Sequence, residues 1–262
     1  MQWSSDAEAA IKKVPLFVRK RVRGRMEKEA VSRGKTVVTL AEVTATLAKF
    51  LKKQGHEIKG YQVDRCFGAS GCPNRVVIAD SLAEKIEALF IQADILGFLK
   101  QTVSGDLKFH HEFRVSLADC PNACSQPQIK DIGIIGAAIP DLTDAVCSNC
   151  EACVDECREG AIKLLENGVG PVIDDQRCLF CGRCMAVCPS GTLVTGQTGY
   201  RVQLGGKLGR HPRLARELPG IFSEEQVLNI IGDCIALYKK NSRGGARFAQ
   251  ILSDADFDQI CS

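Results

Sequence analysis

The chain has 262 residues, 45% of them hydrophobic, and a formal net charge of +3 at pH 7. This length allows one sizeable core with an inserted or appended module, and so small a net charge implies no polyanionic partner such as nucleic acid. No apolar run is long enough to cross a bilayer, and the first residues lack the apolar segment of a signal peptide. We therefore expect a cytoplasmic protein without membrane insertion.

Residues 1–55 are predicted to form a small helical domain. Residues 5–34 have a helical pattern, and Thr39 with Glu42 makes a capping box for a further helix that ends at Gly55. These helices are rich in Lys and Arg. Because they carry no interleaved aromatic residues and no known nucleic-acid motif, a nucleic-acid module is not the favoured interpretation.

The rest of the chain mixes helices with strands. Residues 81–84 and 223–226 are capping boxes, each at the start of a predicted helix. Residues 108–118 and 131–139 have the composition of strands, and residues 200–210 predict a strand, a turn and a glycine-rich loop. This order of elements predicts the α+β fold class.

The chain carries fourteen cysteines. Under reducing conditions clustered cysteines more often bind metal than form disulfides. Residues 147–157 read CSNCEACVDEC and residues 178–189 read CLFCGRCMAVCP. Both runs have the C-x2-C-x2-C-x3-C spacing of bacterial ferredoxins, in which the fourth cysteine of each run ligates the cluster of the other.

This spacing predicts two 4Fe-4S clusters within residues 141–195, an inserted ferredoxin domain. One set of ligands is Cys147, Cys150, Cys153 and Cys188, and the other is Cys178, Cys181, Cys184 and Cys157. The segment between the runs suits a small hairpin. A pair of zinc sites is the alternative, although zinc knuckles rarely use three evenly spaced cysteines plus a fourth.

Four further cysteines form the pairs Cys66-x5-Cys72 and Cys120-x3-Cys124. Four thiolates can hold a third cubane cluster. Together with CPNAC at 120–124, DIGIIG at 131–136 and GGKLGRHP at 205–212, these pairs resemble the sirohaem-dependent sulfite and nitrite reductase family. A ferredoxin insert after the second pair is typical of its dissimilatory and anaerobic sulfite reductase branch.

The resemblance implies that the four cysteines hold a 4Fe-4S cluster and that Cys124 bridges this cluster to the iron of a sirohaem. Sirohaem carries carboxylates, and buried carboxylates need charged donors nearby. The glycine-rich loop supplies candidates for binding this cofactor: Gly205, Gly206, Lys207, Arg210 and His211. A solvated basic loop is the alternative interpretation.

In the family, cations that face the substrate lie on the strand before the second cysteine pair. Here the alternate positions of that predicted strand are His110, Glu112, Arg114 and Ser116, so only Arg114 keeps a fixed positive charge. We expect His110 or His111 to donate protons near neutral pH, with an ordinary surface histidine as the alternative. The predicted catalytic residues are Arg65, His110, Arg114 and Lys207.

The N-terminal domain departs from the sulfite reductase pattern, in which an αβ half-domain precedes the first cysteine pair. Instead, Trp3, Ala7, residues 15–19, Glu27 and Ala30 resemble the small helical domain that ends the B subunit of the dark-operative protochlorophyllide reductase. This second resemblance implies a lid over a tetrapyrrole. A plain helical packing unit is the alternative.

The predicted architecture is a nitrite/sulfite reductase-like domain at residues 56–140 and 196–262, with the ferredoxin domain inserted at 141–195. Its function would be to pass electrons from a donor protein through three clusters to sirohaem, for reduction of sulfite or nitrite, a small oxyanion. Because the chain has one reductase half, a homodimer or a partner subunit would complete the pocket. The alternative function is a haem-free electron-transfer protein with three clusters. Cys234 and Cys261 match no motif and are expected to be ordinary buried side chains.

Overall fold

The computed structural model describes residues 1–14, 16–47, 58–165 and 170–261. The chain divides into two compact units, one of Met1–Ile58 with Asp106–Lys108, and one of Lys59–Gly105 with Phe109–Ser262. Both contain helices and strands, so the α+β class is confirmed. The end of the third predicted helix at Gly55 lies outside the described residues.

Within its described residues, the first unit has a two-stranded parallel sheet and three helices: β1 (Gln2–Trp3), α1 (Ser5–Lys12), α2 (Leu16–Ser32), β2 (Val37–Val38) and α3, helical over residues 40–47. Glu42 accepts a hydrogen bond from the backbone N–H of Thr39 at 3.0 Å, so the predicted capping box of α3 is present. Ala7, Ile11 and Met26 are in the buried core of this unit, against which Trp3 packs.

The second unit holds the remaining elements. Its strands are β3 (Tyr61–Arg65), β4 (Phe113–Ala118), β5 (Ile132–Leu142), β6 (Ile162–Leu164), β7 (Pro171–Ile173), β8 (Leu193–Leu204) and β9 (Arg216–Glu217). Its helices are α4 (Asp80–Gln92), α5 (Ile95–Thr102), α6 (Ala152–Glu156), α7 (Arg183–Ala186), α8 (Glu224–Asn241), α9 (Phe248–Ile251) and α10 (Asp254–Cys261). Within the described ranges, no helix combines the length and apolarity needed to cross a membrane.

A five-stranded mixed sheet in the order β3-β4-β5-β8-β9 organises this unit. Strands β3, β4 and β5 are parallel, whereas β8 and β9 are antiparallel to their neighbours. The register pairs Arg65 with Leu117, so the carboxyl ends of β3 and β4 meet at one edge of the sheet. Cys66 follows β3 directly and Cys120 follows β4 after one residue, so the parallel pairing brings the two cysteine pairs together.

Aromatic side chains fill the core between the sheet and the helices. The ring of Phe113 on β4 lies 5.3 Å from Phe90, 5.1 Å from Tyr238 and 5.2 Å from Phe248, measured between centroids. Offset and edge contacts at these distances are favourable for aromatic rings. The core therefore fixes β4, whose carboxyl end leads into the second cysteine pair.

Several predicted boundaries agree with the structure and two do not. Ser223 and Gln226 form the predicted capping box of α8, and β6 with β7 forms the predicted hairpin between the cysteine runs. The capping box predicted at Ser81 is wrong, because α4 already begins at Asp80. The strand predicted from residue 108 is wrong at its start, because Phe109–His111 form a 3-10 turn and β4 begins at Phe113.

The two cysteines outside the motifs differ in burial. Cys234 lies on α8 and is fully buried, as expected. Cys261 is exposed, so the prediction that it is buried is wrong. It is the last residue of α10, whose buried residue is Phe257.

Candidate functional site

Four cysteines from the two loops at the sheet edge, Cys66, Cys72, Cys120 and Cys124, line one cavity of about 160 Å³. We call this cavity with its four cysteines the sheet site. Cys120 is buried, Cys66 and Cys72 are partly buried, and Cys124 is exposed. The site is therefore closed towards the sheet and open at Cys124.

Backbone amides point at the sulfur atoms of the sheet site. The N–H groups of Gly68 and Asp119 each donate to Cys66 Sγ at 3.3 Å. Burial raises the pKa of the Cys120 thiol, although a hydrogen bond from the Asn122 backbone partly opposes this. Such N–H···S bonds stabilise the thiolate form in which cysteine ligates iron, so the donor set fits a 4Fe-4S cluster.

Asp119 links the two loops of the sheet site, and no pattern in the sequence predicted this role. Its backbone carbonyl accepts from the N–H groups of Val76 and Val77 at 2.8 and 3.2 Å. Its buried carboxyl packs so closely on Gly68 that a Cβ there would lie 1.9 Å from Oδ2. Burial, and then the nearby charge of Asp80, raise the pKa of this carboxyl.

Cysteines from both ferredoxin-like runs share a second cavity, of about 90 Å³. Its lining includes Cys157 of the first run together with Cys178, Cys181 and Cys184 of the second. We call these four the second-run site. Burial raises the pKa of Cys184 to about 11, and the nearby Cys178 and Cys181 thiols act in the same direction. The structure thus brings together the cross-run set that the spacing predicts.

The remaining four cysteines of the runs, which we call the first-run site, are Cys147, Cys150, Cys153 and Cys188. Burial raises the pKa of Cys153, and the charges of Cys188 and Cys147 add to this effect, so these thiols are close enough to interact. Cys188 also packs against Cys153 in a small apolar cluster. Cys150 is exposed.

Each run begins with the same turn. Asn149 and Phe180, two residues after the first cysteine of their runs, have φ of 51° and 58°, in the left-handed region that few residues other than glycine adopt. Their N–H groups donate to Cys147 Sγ at 3.5 Å and to Cys178 Sγ at 3.4 Å. The strained turns aim backbone amides at sulfur, as a cluster ligand requires.

Among the described side chains, no three His, Cys, Asp or Glu residues converge tightly enough to hold a single metal ion. A cubane distributes its four cysteines over four iron atoms. The ligand sets are therefore supported by spacing, shared cavities and N–H···S bonds, and the clusters themselves stay predictions.

The predicted catalytic residues do not all lie near the sheet site. Arg65 adjoins Cys66 but forms an ion pair with Asp80 at 3.2 Å. Arg114 lies at the other end of β4, about 13 Å before Ala118 at the usual rise per residue. Its guanidinium donates to the carbonyl of Phe109 at 3.1 Å.

His110 is not on the strand, as the alternation argument required. It is exposed in the 3-10 turn before β4, with its ring centroid 4.2 Å from that of His111. The side chain of Glu112 is buried and accepts from the backbone N–H of Lys59 and from Gln62. These bonds hold the chain in a turn where strand pairing was predicted.

The glycine-rich loop reaches the segment that follows the sheet site. A Cβ on Gly206 would lie 2.5 and 2.7 Å from the carbonyl oxygens of Gln128 and Lys130, so only glycine fits. Lys207 and Arg213 close the loop through two backbone hydrogen bonds of 2.9 Å, which leaves Arg210 and His211 exposed at its tip. The Pro127–Ile129 turn begins three residues after Cys124, so the glycine-rich loop packs on the segment that follows the second cysteine pair.

Asn74 and Arg75 are further lining residues of the sheet site that the sequence interpretation missed. The N–H of Arg75 donates to the carbonyl of Cys72 at 3.4 Å. Arg75 is exposed and lies close enough to Asp119 to oppose the rise of its pKa. The sequence feature that could have identified Arg75 is its position three residues after Cys72, a predicted cluster ligand.

Two cavities are each lined by four cysteines, which is the ligand chemistry of an iron–sulfur protein. Residues 61–262 match the family described as the nitrite and sulphite reductase 4Fe-4S domain, and the chain belongs to this family. Residues 3–46 match the family described as the proto-chlorophyllide reductase 57 kD subunit. Both resemblances stated from the sequence are confirmed.

Three relatives illustrate these similarities. The chain is 27% identical to a coenzyme F420-dependent sulfite reductase of Methanocaldococcus jannaschii over 67% of its own length and 26% of the relative's. It is 32% identical to the beta subunit of a dissimilatory-type sulfite reductase of Archaeoglobus fulgidus over 38% of its own length and 29% of the relative's. It is 63% identical to the B subunit of a light-independent protochlorophyllide reductase of Chloroflexus aurantiacus over 16% of its own length and 7% of the relative's. The chain thus spans less than a third of each relative.

Proposed function

We propose that the chain is an iron–sulfur oxidoreductase that accepts electrons from a donor protein and uses them to reduce sulfite or nitrite. When bound, three 4Fe-4S clusters and a sirohaem would supply the redox chemistry. The observation that carries the proposal is the sheet site: four cysteines from the loops that follow two adjacent parallel strands line one cavity. Membership of the nitrite and sulphite reductase family supports it.

The chain's own residues have distinct tasks in this proposal. Cys66, Cys72 and Cys120 hold the cluster of the sheet site from the protected side, where the amides of Gly68 and Asp119 stabilise the thiolate charge. Cys124 is the exposed member of the set, and it would be the ligand that faces the sirohaem.

The loop cations complete the proposed cofactor pocket. Lys207, Arg210 and His211 pair with carboxylates of the cofactor or with the oxyanion substrate. Arg75, at the edge of the sheet-site cavity, is a further cation for the substrate. Preorganised positive charge at such a position stabilises the negative charge that develops during reduction.

The pocket is proposed to need a second protein surface. One of the two sulfite reductase relatives is named as a subunit. We therefore infer that a second copy or a partner subunit completes the site. The first unit resembles part of an enzyme that acts on a tetrapyrrole by name, so we propose that this unit contributes to tetrapyrrole binding.

A haem-free electron carrier with three clusters is the second candidate function. The position of Arg114 and His110 favours it, because these residues lie away from the sheet site. In that case the cations of the glycine-rich loop would bind an acidic partner protein instead of a cofactor.

The experiment that separates the two candidates is anaerobic purification from a host that makes sirohaem, followed by iron counting and pigment extraction into acidic acetone. The reductase predicts about twelve cluster irons per chain, one further iron per sirohaem, and a sirohaem spectrum. About twelve irons without pigment would contradict the reductase and leave the carrier. As a matched control, Cys261→Ser should keep the full iron content, whereas Cys72→Ser should lose about four irons per chain.

A further inference from the structure

The sheet site and the second-run site share a boundary. Asn122 lines both cavities, and Pro121 lines the second-run cavity. Both residues belong to the short turn between Cys120 and Cys124, so the ligand loop of one site is also a wall of the other. The first-run site instead has an exposed cysteine, Cys150. Among the described residues, none of the four first-run cysteines lines the cavity of the sheet site.

Main-chain bonds join the second run to the sheet. The N–H of Ala138 on β5 donates to the carbonyl of Phe180 at 2.8 Å, and Ala138 forms an isolated parallel bridge with Cys181. The loop from Cys178 to Cys181 is thereby attached to the same strand that approaches Asp119 through Gly136. Because the attachment uses backbone atoms, it sets the separation of the two sites within narrow limits.

Arg201 on β8 reinforces this attachment. Its guanidinium makes two hydrogen bonds to the carboxylate of Glu217 on β9, at 2.6 and 2.8 Å, and a longer one of 3.5 Å to the carbonyl of Leu179. Only 17% of the side chain is exposed. The planar, bidentate pairing orients the guanidinium, and lysine could not reproduce it. One side chain thus connects the edge of the sheet to the residue that follows Cys178.

We infer that the second-run site is the one that exchanges electrons with the sheet site, across the Pro121–Asn122 segment, and that Arg201 is a positioning residue that holds the two sites at this separation. The inference rests on the proposed function. When bound, the clusters would supply one-electron chemistry, with reducing equivalents from the proposed donor protein, and Arg201 would keep the cysteines of the second-run site at a fixed separation from those of the sheet site. Each transfer moves one electron and needs no other reactant.

The test uses the complete chain, loaded with iron and sulfide and reduced with dithionite. Electron paramagnetic resonance of the reduced protein should show magnetic interaction between the clusters of the sheet site and the second-run site. Arg201→Met should weaken or abolish this interaction while the iron content stays at about twelve per chain. The interaction depends on separation and not on turnover, so it is a readout that a change in activity alone would not move.

Arg183→Met is the matched control. Arg183 lines the same cavity and is paired with Glu156, so the variant removes an equal charge without touching the link to the sheet. It should keep the interaction. Cys150→Ala should also keep the magnetic interaction with the sheet site, whereas Cys181→Ala should remove it. These two variants test which site is the neighbour of the sheet site even if Arg201→Met fails to fold.

The outcomes separate the inference from the proposed function. Suppose that the unaltered chain holds about twelve irons and that the magnetic interaction survives Cys181→Ala but disappears in Cys150→Ala. This result would show that the first-run site, and not the second-run site, is the neighbour of the sheet site, and it would leave the proposed function intact. An interaction equally strong in Arg201→Met would overturn the positioning role. About eight irons per chain, with no further loss in Cys72→Ser, would show that the sheet site holds no cluster, and the proposed function would fall together with the inference.

Discussion

Replacement of Gly136 by alanine should damage the sheet site through the segment that carries Asp119. Gly136 lies on β5, and a Cβ there would lie 2.5 Å from the carbonyl oxygen of Asp119 and 2.4 Å from a methyl group of Val77. The carbonyl is held by the N–H groups of Val76 and Val77, so it cannot retreat without breaking those bonds. The backbone that carries the second cysteine pair must therefore move.

The size of the effect follows from the geometry. Real Cβ contacts essentially never fall below 3.0 Å, so the carbonyl must move from 2.5 Å to at least that distance. Forcing one methyl group into a well-packed interior costs about 1–3 kcal/mol. For a protein of this size each kcal/mol lowers Tm by about 2–4 °C. The same movement would lengthen the 3.3 Å hydrogen bond from the Asp119 N–H to Cys66 Sγ.

The assay combines circular dichroism on heating, at a fixed scan rate without oxygen, with iron counting. Gly136→Ala should lower Tm and reduce the iron content from about twelve towards about eight per chain. Gly232→Ala is the matched control: a Cβ there meets nothing within 4 Å, and alanine in the middle of α8 should stabilise the protein by about 1 kcal/mol. Unchanged Tm and iron content in Gly136→Ala would refute the view that the Asp119 carbonyl is fixed.

Three further predictions concern stability. Arg247→Met removes the ion-pair partner that lies 2.8 Å from the buried carboxylate of Asp131, and it should lower the free energy of unfolding by about 3–5 kcal/mol at pH 7. Because burial already raises the pKa of Asp131, this loss of stability should shrink as pH falls and the carboxyl protonates. Hydrogen bonds from Lys35 and Thr39 lower the pKa of Glu42 to about 2. The first unit should therefore lose stability as pH falls from about 4.3 towards 2. Fluorescence of Trp3, the single tryptophan, should report this loss of stability, and Glu42→Gln should remove the pH dependence. Cys234→Ala should lower the free energy of unfolding by about 1 kcal/mol in a denaturant titration and leave the iron content unchanged. A lower iron content would contradict this prediction, because it would make the buried thiol a cluster ligand.

Much of the site could be predicted from the sequence because ligand spacing is a local property of the chain. The evenly spaced cysteines predicted the cross-run set that lines the second-run cavity, including Cys157. The capping boxes at Thr39 and Ser223 were likewise predictable, since their hydrogen bonds span three residues. Family membership, stated from the cysteine pairs and the glycine-rich loop, was confirmed by the match over residues 61–262.

The start of β4 was mispredicted because distant contacts decide it. The pattern of residues 108–118 is compatible with a strand, but the side chain of Glu112 binds Lys59 and Gln62, about fifty positions earlier. The residues before Phe113 therefore form a turn, and His110 leaves the face on which alternation had placed it. A period-of-two pattern cannot register a hydrogen bond to a residue on a neighbouring strand.

The amino-acid order alone was enough to predict the three cysteine sets, the class of fold and the family. It could not predict that Asp119 joins the two loops of the sheet site, or that Asn122 lies between this site and the second-run site. Those features depend on the parallel pairing of β3 with β4, which brings Cys66 and Cys120 to one edge of the sheet. The spacing of cysteines along the chain determines which ligands each loop can offer. The pairing of strands across the sheet determines which loops combine their ligands in one site.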